Sequence, residues 1–304
     1  MNEVRVGLSI TSALPVDDPR DGATDLIARA EAADRAGLDL LCIGDQHTTP
    51  IPYFQNVPTL ARLSAAFSGP QLGALFLVPL WHPVLLAEQI GTLAAFAPGR
   101  FVVQAGLGGG RGQFAAMGMP YAGRAARYDE ALRIVDALLA GETVSSEMFD
   151  VVDARIAPIP VEPVEWWLGA GGERALDRVA RRQATWYGNA DLTPTTAAER
   201  LAVFRVACER HGHEPERIAV RTDVIVLDDD AEARRLGDDL MAGGYRGLSA
   251  DAVAYGSPTS VAEQLEPYVE LGFTDLVVRT MAVPPETAQR SIELTGEVRR
   301  LLRA

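Results

Sequence analysis

The chain has 304 residues, 48% of them hydrophobic, and a formal charge of −13 from 28 basic and 41 acidic side chains. This composition is typical of a globular protein with a large core, and it excludes collagen, coiled-coil and disordered chains. The acidic balance disfavours nucleic acid and anionic membrane surfaces as partners, and no apolar run is long enough to span a bilayer.

Apolar, β-rich runs alternate with helical patterns along the whole chain. The spacing predicts strands over residues 4–10, 38–44, 72–78, 101–105, 166–169, 185–187, 220–227 and 275–279. It predicts helices over residues 21–36, 57–67, 83–96, 128–139, 174–182, 197–209, 231–241, 259–271 and 286–302. Eight strand–helix units without a polar linker predict one α/β domain over residues 1–304, a single (β/α)8 TIM barrel.

Two stretches interrupt this rhythm and are predicted insertions. Residues 142–163 contain short extended pieces broken by proline and glycine, which is typical of a small hairpin. Residues 243–256 are irregular. Because loops of such barrels vary, we expect substrate specificity to reside in these two insertions and in residues 46–56.

Every basic residue of the chain is an arginine. The absence of lysine excludes Schiff-base catalysis, anchoring of pyridoxal phosphate and a P-loop. Two cysteines, Cys42 and Cys208, are too few for a disulfide framework, and they fit a reducing compartment. Since no secretory signal pattern is present either, we expect a cytoplasmic protein.

Active sites of such barrels lie at the C-terminal ends of the strands, which selects the candidate site residues. Asp45, Gln46 and His47 follow the second predicted strand. The aspartate and histidine resemble part of a metal-ligand set, but no His-x-His follows the first strand and no carboxylates cluster at the other strand ends. We therefore predict no metal site.

Two glycine-rich turns are suited to binding a phosphate. The turn after the fifth strand leads directly into a helix and consists of Gly171, Gly172, Glu173 and Arg174. Free N–H groups and the helix dipole favour an anion there, although a tight turn that needs glycine for a positive φ gives the same pattern. The loop after the fourth strand contains Gly106, Leu107, Gly108, Gly109 and Arg111. Its arginine is a candidate bidentate phosphate donor.

The predicted mouth of the barrel is mostly apolar. The residues expected to line it or to contact a substrate are Leu75, Phe76, Tyr53, Phe54, Trp81, His82 and Asn189. Such a mouth suits a bulky planar cofactor better than a sugar or a metal. Hydride transfer by a bound cofactor also needs few catalytic side chains from the protein, and the sequence offers few candidates.

The sequence resembles the bacterial luciferase-like oxidoreductase superfamily. The stretches that carry the resemblance, nearly the whole chain in order, are residues 32–39 with 44–47, 72–83 with 87–89, 98–101, 124–130, 167–172 and 256–258. It implies a barrel with insertions that binds a flavin or the deazaflavin F420 at the strand C-termini. It also implies a homodimer, since family members are often dimers.

The resemblance assigns roles to particular residues. The ring would rest on a non-prolyl cis peptide between Leu75 and Phe76, with Asp45 beside it, and Gly171 and Gly172 would contact the phosphate. In F420-dependent sugar and alcohol dehydrogenases a histidine follows the aspartate, whereas this chain has Gln46. An acidic residue of their fourth-strand loop corresponds to Gly109.

These departures leave Asp45, Gln46 and His47 as the candidate catalytic set, with His47 as the substitute for proton transfer. The favoured hypothesis is an F420-dependent oxidoreductase that acts on a hydrophobic small organic substrate, because residues 170–172 are similar to the turn of F420-dependent dehydrogenases. One alternative is a monooxygenase that uses O2 and reduced FMN supplied by a partner reductase. Another is a non-catalytic flavin-binding protein.

Overall fold

The computed structural model describes residues 3–303, so residues 1, 2 and 304 of the predicted domain lie outside the described part. Its strands are β1 (Arg5–Ile10), β2 (Leu40–Ile43), β3 (Gln71–Leu77), β4 (Val102–Gly106), β5 (Val144–Ser146), β6 (Val151–Ala154), β7 (Glu165–Gly169), β8 (Thr185–Gly188), β9 (Ile218–Val226), β10 (Val253–Gly256) and β11 (Asp275–Thr280). Its helices are α1 (Pro19–Arg35), α2 (Asn56–Leu63), α3 (Pro83–Phe96), α4 (Arg111–Ala116), α5 (Arg124–Leu139), α6 (Glu173–Arg181), α7 (Pro194–Arg210), α8 (Asp230–Ala242), α9 (Pro258–Leu271) and α10 (Pro285–Leu301).

Within residues 3–303, eight parallel strands close a barrel in the order β1, β2, β3, β4, β7, β8, β9 and β11, and β11 pairs with β1. The strand order follows the chain order, as expected when each strand is followed by a crossover helix on the outside. The predicted (β/α)8 TIM barrel is confirmed. None of the helices in this range is both long and apolar enough to cross a membrane.

Side chains fill the middle of the barrel. Successive residues of a strand point alternately inward and outward, so one face of each strand lines the interior. The buried interior layer consists of Leu40, Cys42, Val102, Trp167, Tyr187, Ala219 and Val277. The barrel is therefore closed at this level, and space for a ligand remains only toward the two ends.

An ion-pair network closes the N-terminal end of the barrel. The Arg5 guanidinium donates to Asp275, to Gln71 and, at 3.0 Å, to Oε1 of Glu165. Burial disfavours the charge on Glu165, but Arg5 and the indole N–H of Trp167 hold the pKa of this carboxyl below its usual value. The four side chains come from four different strands, so this network fixes how the strands meet.

The second insertion contributes a strand that the sequence analysis did not predict. Residues 253–256 form β10, which pairs with residues 223–226 of β9, whereas β8 pairs with residues 218–220. β9 is nine residues long and β8 only four. Without β10, the C-terminal half of β9 would have an unpaired edge, and β10 supplies its hydrogen bonds.

The first insertion packs onto the outside of the barrel. β5 and β6 form an antiparallel hairpin within it. Further along, the carbonyl of Pro158 lies so close to Gly91 of α3 that a Cβ there would be 2.3 Å from the oxygen. Only glycine leaves room for this contact between α3 and the insertion.

Candidate active site

A cavity of about 380 Å³ lies at the C-terminal ends of β3, β4, β7 and β8. Its lining residues are Leu75, Leu77, Ala105, Gly106, Leu107, Gly108, Gly109, Gly169, Ala170, Gly171, Tyr187, Gly188, Asn189 and Arg221. Glycine backbone forms much of the wall and leucine side chains much of the rest, which suits a flat apolar ring. A polar cavity of about 240 Å³ around Arg182 and His213 lies at the opposite end of the barrel, the end that serves stability in such folds.

The structure brings many of the predicted cofactor residues together in this cavity. They are Leu75, Gly106, Leu107, Gly108, Gly109 and Gly171, with the predicted substrate residue Asn189 beside them. At Gly106 a Cβ would lie 3.2 Å from Leu77, and at Gly108 the backbone has a φ of +71°. Glycine at both positions keeps the wall close to whatever occupies the cavity.

Asp45 anchors the polar side of the site. Its carboxylate is buried, and Oδ2 accepts hydrogen bonds from the backbone N–H of Leu77 at 2.7 Å and from the indole N–H of Trp81 at 2.9 Å. Leu77 belongs to the cavity wall. These bonds hold the end of β2 against the end of β3 and fix the carboxylate beside the cavity.

His47 completes this arrangement. Its Nε2 lies 3.2 Å from Oδ1 of Asp45, and neither atom has a hydrogen-bond partner of good geometry among residues 3–303. The contact with the Asp45 carboxylate outweighs burial and raises the pKa of His47. His47 therefore retains a proton at a higher pH than an ordinary histidine and is suited to proton transfer.

The prediction of a cis peptide between Leu75 and Phe76 is wrong. In the described part of the chain the cis bond is at Ala157–Pro158. β3 pairs with β4 without interruption through both residues, and this regular pairing needs extended trans backbone. Phe76 is fully buried in the outer core and packs edge-on against Trp81, so it points away from the cavity that Leu75 lines.

The other predicted residues that do not line the cavity are Asp45, Gln46, His47, Tyr53, Phe54, Trp81, His82, Arg111, Gly172, Glu173 and Arg174. The ring of Phe54 packs against α1, where a Cβ at Gly22 would lie 2.8 Å from it. His82 is exposed at the start of α3, and its ring centroid is 6.4 Å from that of Phe149 in the first insertion. The Gln46 side chain is exposed. The Tyr53 hydroxyl would lie 2.9 Å from a Cβ at Gly44, next to Asp45 in the chain.

The predicted phosphate turn lies at one edge of the cavity. Gly171 lines the cavity, and Gly172 is the N-cap of α6 without a side-chain capping bond. Glu173 and Arg174 follow as exposed residues of the first helical turn. A Cβ at Gly171 would lie 3.5 Å from a guanidinium nitrogen of Arg200, so a cation that the sequence analysis missed reaches this turn. The free N–H groups and this cation suit an anion.

Two further arginines lie near the fourth-strand loop. Arg111 and Arg124 lie over the ring of Tyr121, with distances of 4.4 and 3.8 Å from Cζ to the ring centroid. The Tyr121 hydroxyl donates to the carbonyl of Gly109 at 3.3 Å, and Nε of Arg124 donates to that of Gly108 at 3.2 Å. These contacts tether the glycine loop to α5.

Sequence reasoning missed the charged residues of the last strands. Arg221 lines the cavity, and Asp223 and Arg279 lie near it on β9 and β11. The signal in the sequence was a pair of charged residues, Arg221 and Asp223, two positions apart in the otherwise mostly apolar β9. Charged residues near the C-terminal ends of barrel strands lie on the side of the active site, which makes them candidates for function.

The sequence of the barrel and its insertions matches a known family. Residues 4–249 match the luciferase-like monooxygenases. The chain belongs to this family. The predicted resemblance is therefore confirmed over most of the chain.

Relatives of this luciferase-like chain use two kinds of cofactor, as their names state. An F420-dependent glucose-6-phosphate dehydrogenase of Beutenbergia cavernae is 26% identical over 83% of this chain and 86% of its own length. An uncharacterized protein of Mycobacterium tuberculosis is 27% identical over 55% of this chain, and the match spans 66% of that relative, just under two thirds. The oxygenating constituent of 3,6-diketocamphane monooxygenase from Pseudomonas putida, solved with FMN, has a TM-score of 0.83 at 21% identity and 99% coverage of both chains.

The residues present fit a flavin or deazaflavin. Glycine backbone lines a flat cavity, an uncapped helix N-terminus lies at its edge, and Oδ1 of Asp45 and Nε2 of His47 are buried without a good partner in the described residues. The ring would occupy the glycine-lined part, and its phosphate would lie at Gly171 and Gly172. No cluster of metal-ligating side chains occurs in residues 3–303.

Proposed function

We propose that this luciferase-like protein is an oxidoreductase that transfers a hydride between F420 and a small, largely apolar organic substrate with a carbonyl or other unsaturated group. The observation that carries the proposal is the Asp45–His47 pair beside Leu77 of the cavity wall. Reduction of a carbonyl needs a proton as well as a hydride, and a histidine with a raised pKa holds one ready.

Each side chain has a separate role in this proposal. When bound, the reduced deazaflavin supplies the hydride. His47 gives its proton to the substrate oxygen, and Asp45 positions His47 and keeps it protonated. The leucines of the cavity wall exclude water from the reacting face.

F420 is favoured over FMN for two reasons. The relative named for F420 aligns over most of this chain, and the turn at residues 170–172 resembles that of F420-dependent dehydrogenases. The alternatives are a monooxygenase that receives reduced FMN from a partner reductase and a flavin-binding protein without catalysis.

Fluorescence titration of the purified protein with F420 and with FMN, each oxidised and reduced, tests the proposal. We expect F420 to bind more tightly, and reduced F420 to be consumed with a carbonyl panel without oxygen uptake. Selective binding of reduced FMN with oxygen uptake would overturn it in favour of the monooxygenase. Tight binding without turnover of any panel member would favour the non-catalytic protein.

Replacing Gly172 with aspartate is expected to weaken cofactor binding about tenfold or more, because a carboxylate at the N-terminus of α6 repels the phosphate. Gly172 has extended backbone angles, and no atom lies within 4 Å of a Cβ there, so the variant folds. Aspartate also caps a helix at least as well as glycine. Equilibrium titration with FMN and F420 gives the dissociation constants.

Gly172→Asn is the matched control, because asparagine caps equally well without a charge. Both side chains can cap the free N–H groups of the turn, so the effect of the charge is the difference between the two variants, and the asparagine variant should bind both cofactors more tightly than the aspartate variant. Riboflavin, which has no phosphate, should bind to the aspartate and asparagine variants with equal affinity. Equal FMN affinity in the two variants would place the phosphate elsewhere.

Two further properties belong to the same proposal. We propose a homodimer located in the cytoplasm, as in related enzymes. Sedimentation equilibrium of the purified protein measures the first property, and fractionation of the producing cell measures the second.

A further inference from the structure

An arginine cluster lies on the side of the cavity away from the glycine loop. Its members are Arg221 on β9, Arg279 on β11 and Arg246 in the turn between α8 and β10. Arg221 and Arg279 each follow an inward-facing residue of the interior layer by two positions, so both point into the barrel. Asp223 faces inward beside Arg279, its partner in the pairing of β9 with β11.

The guanidinium groups of Arg221 and Arg246 face the carboxylate of Asp223, and Nε of Arg279 donates to the Thr11 hydroxyl at 3.2 Å. Asp223 is fully buried, and its Oδ2 accepts from the Tyr245 hydroxyl at 2.9 Å and from Arg246 at 2.5 Å. Nε of Arg221 lies 3.6 Å from Oδ1 of Asp223, too far for a hydrogen bond, and neither atom has a partner among the described residues.

Positive charge thus remains uncompensated at the barrel mouth. Burial first, and then the neighbouring Arg246, lowers the pKa of Arg279, despite the attraction of Asp223. The other carboxylate of the mouth, Asp45, is bonded to Trp81 and faces His47 instead. Partly buried cations without counter-charges are costly unless an anion joins them.

We propose that Arg221 and Arg279 bind an oxyanion group of the substrate, a carboxylate, sulfonate or phosphate, whose apolar body extends toward the ring site. Arg221 lines the cavity directly and has a free Nε donor. Guanidinium groups bind oxyanions through two parallel hydrogen bonds. This inference rests on the proposed function and adds the substrate class to it.

The same oxyanion chemistry is present in the cofactor phosphate, so the two sources must be separated. The cofactor phosphate has its own candidate site at Gly171 and Gly172, at the junction of β7 and α6. The arginine cluster belongs to β9 and β11 instead. A substrate anion at the cluster leaves cofactor affinity independent of Arg279, which does not line the cofactor cavity.

Calorimetric titration with hexanoate and with 1-hexanol tests the proposal, both on the protein alone and on the protein loaded with the cofactor it binds. These probes share an apolar chain and differ in the anionic group. We expect hexanoate to bind about tenfold more tightly or better, the effect of one charged hydrogen bond. Arg221→Met and Arg279→Met should abolish this preference, and Arg279→Met, whose side chain does not line the cofactor cavity, should leave cofactor affinity unchanged.

Arg221→Lys and Arg279→Lys guard against misfolding, because they keep the charge and should retain part of the preference. Arg279→Met removes an uncompensated charge, so it should also raise the melting temperature. If Arg279 were purely structural, its loss would lower the melting temperature. Equal affinity for hexanoate and 1-hexanol would overturn the proposal. Loss of cofactor binding in Arg279→Met, with hexanoate affinity unchanged, would overturn it in favour of the cofactor phosphate. The titrations of the protein without cofactor test the arginine cluster independently, so their result is still informative if the protein does not use F420.

Discussion

Asp45→Asn is expected to lower turnover by about 10²- to 10⁴-fold, the contribution of a positioned proton-transfer group. The amide oxygen can still accept from Leu77 and Trp81, but its NH2 group then faces Nε2 of His47 and stabilises the neutral imidazole. The pKa of His47, raised by Asp45 in the unmodified protein, should fall. Carbonyl reduction needs protonated His47, so its rate should decline at a lower pH in the variant.

Two measurements check this expectation. Titration of the histidine NMR signals follows the pKa of His47 directly, and the spectrum of His47→Asn assigns its signal among the four histidines. Steady-state rates with the best carbonyl of the panel give the pH profile. Asp239→Asn, an exposed aspartate on α8, is the matched control and should leave both unchanged. An unchanged pKa of His47 in Asp45→Asn would show that the pair does not act as proposed.

Arg5→Met is expected to reduce the free energy of unfolding by about 3–5 kcal/mol, the cost of leaving buried charges without a partner. Glu165 would keep neutral donors in Gln71 and Trp167 but lose its ion-pair partner, and Asp275 would keep Arg217 at 3.3 Å. The loss is measured by urea unfolding at neutral pH.

The pH dependence gives a second test of this network. The folded protein holds the pKa of Glu165 below its usual value, so its contribution to stability is present above the unfolded pKa of about 4.3 and is lost as the pH falls through the folded pKa. In Arg5→Met the carboxyl can protonate instead, so the difference between the two proteins should narrow on acidification. Arg35→Met breaks an exposed pair with Glu293 and should cost less than about 1 kcal/mol at any of these pH values. A comparable loss in both variants would contradict the role of burial.

The barrel could be predicted from the sequence because its signal is local and repeated. Each strand–helix unit has its own apolar pattern, and the order of units determines the topology. Asp45 could be found for a related reason, since it lies two positions after the end of a strand whose C-terminal end faces the site. Its contact with His47 is likewise short-range in sequence.

Two kinds of feature could not be predicted in this way: the side of a strand on which a side chain lies, and contacts between segments that are distant in sequence. Leu75 and Phe76 are adjacent and equally apolar, and only the register with β4 decides which one faces the cavity. The contact of Arg246 with Asp223 joins β9 to a turn 23 residues later. β10 carries a weak strand pattern and exists because β9 extends beyond β8.

The junction of β8, β9 and β10 divides the wall of the barrel into two parts. Strands β3 to β8 form the glycine-lined face, while the segment before β10 reaches the opposite face through Tyr245 and Arg246. The family match ends at residue 249, just before β10 begins. Exchanging residues 243–252 between two such barrels should therefore transfer substrate preference while cofactor choice stays with the recipient.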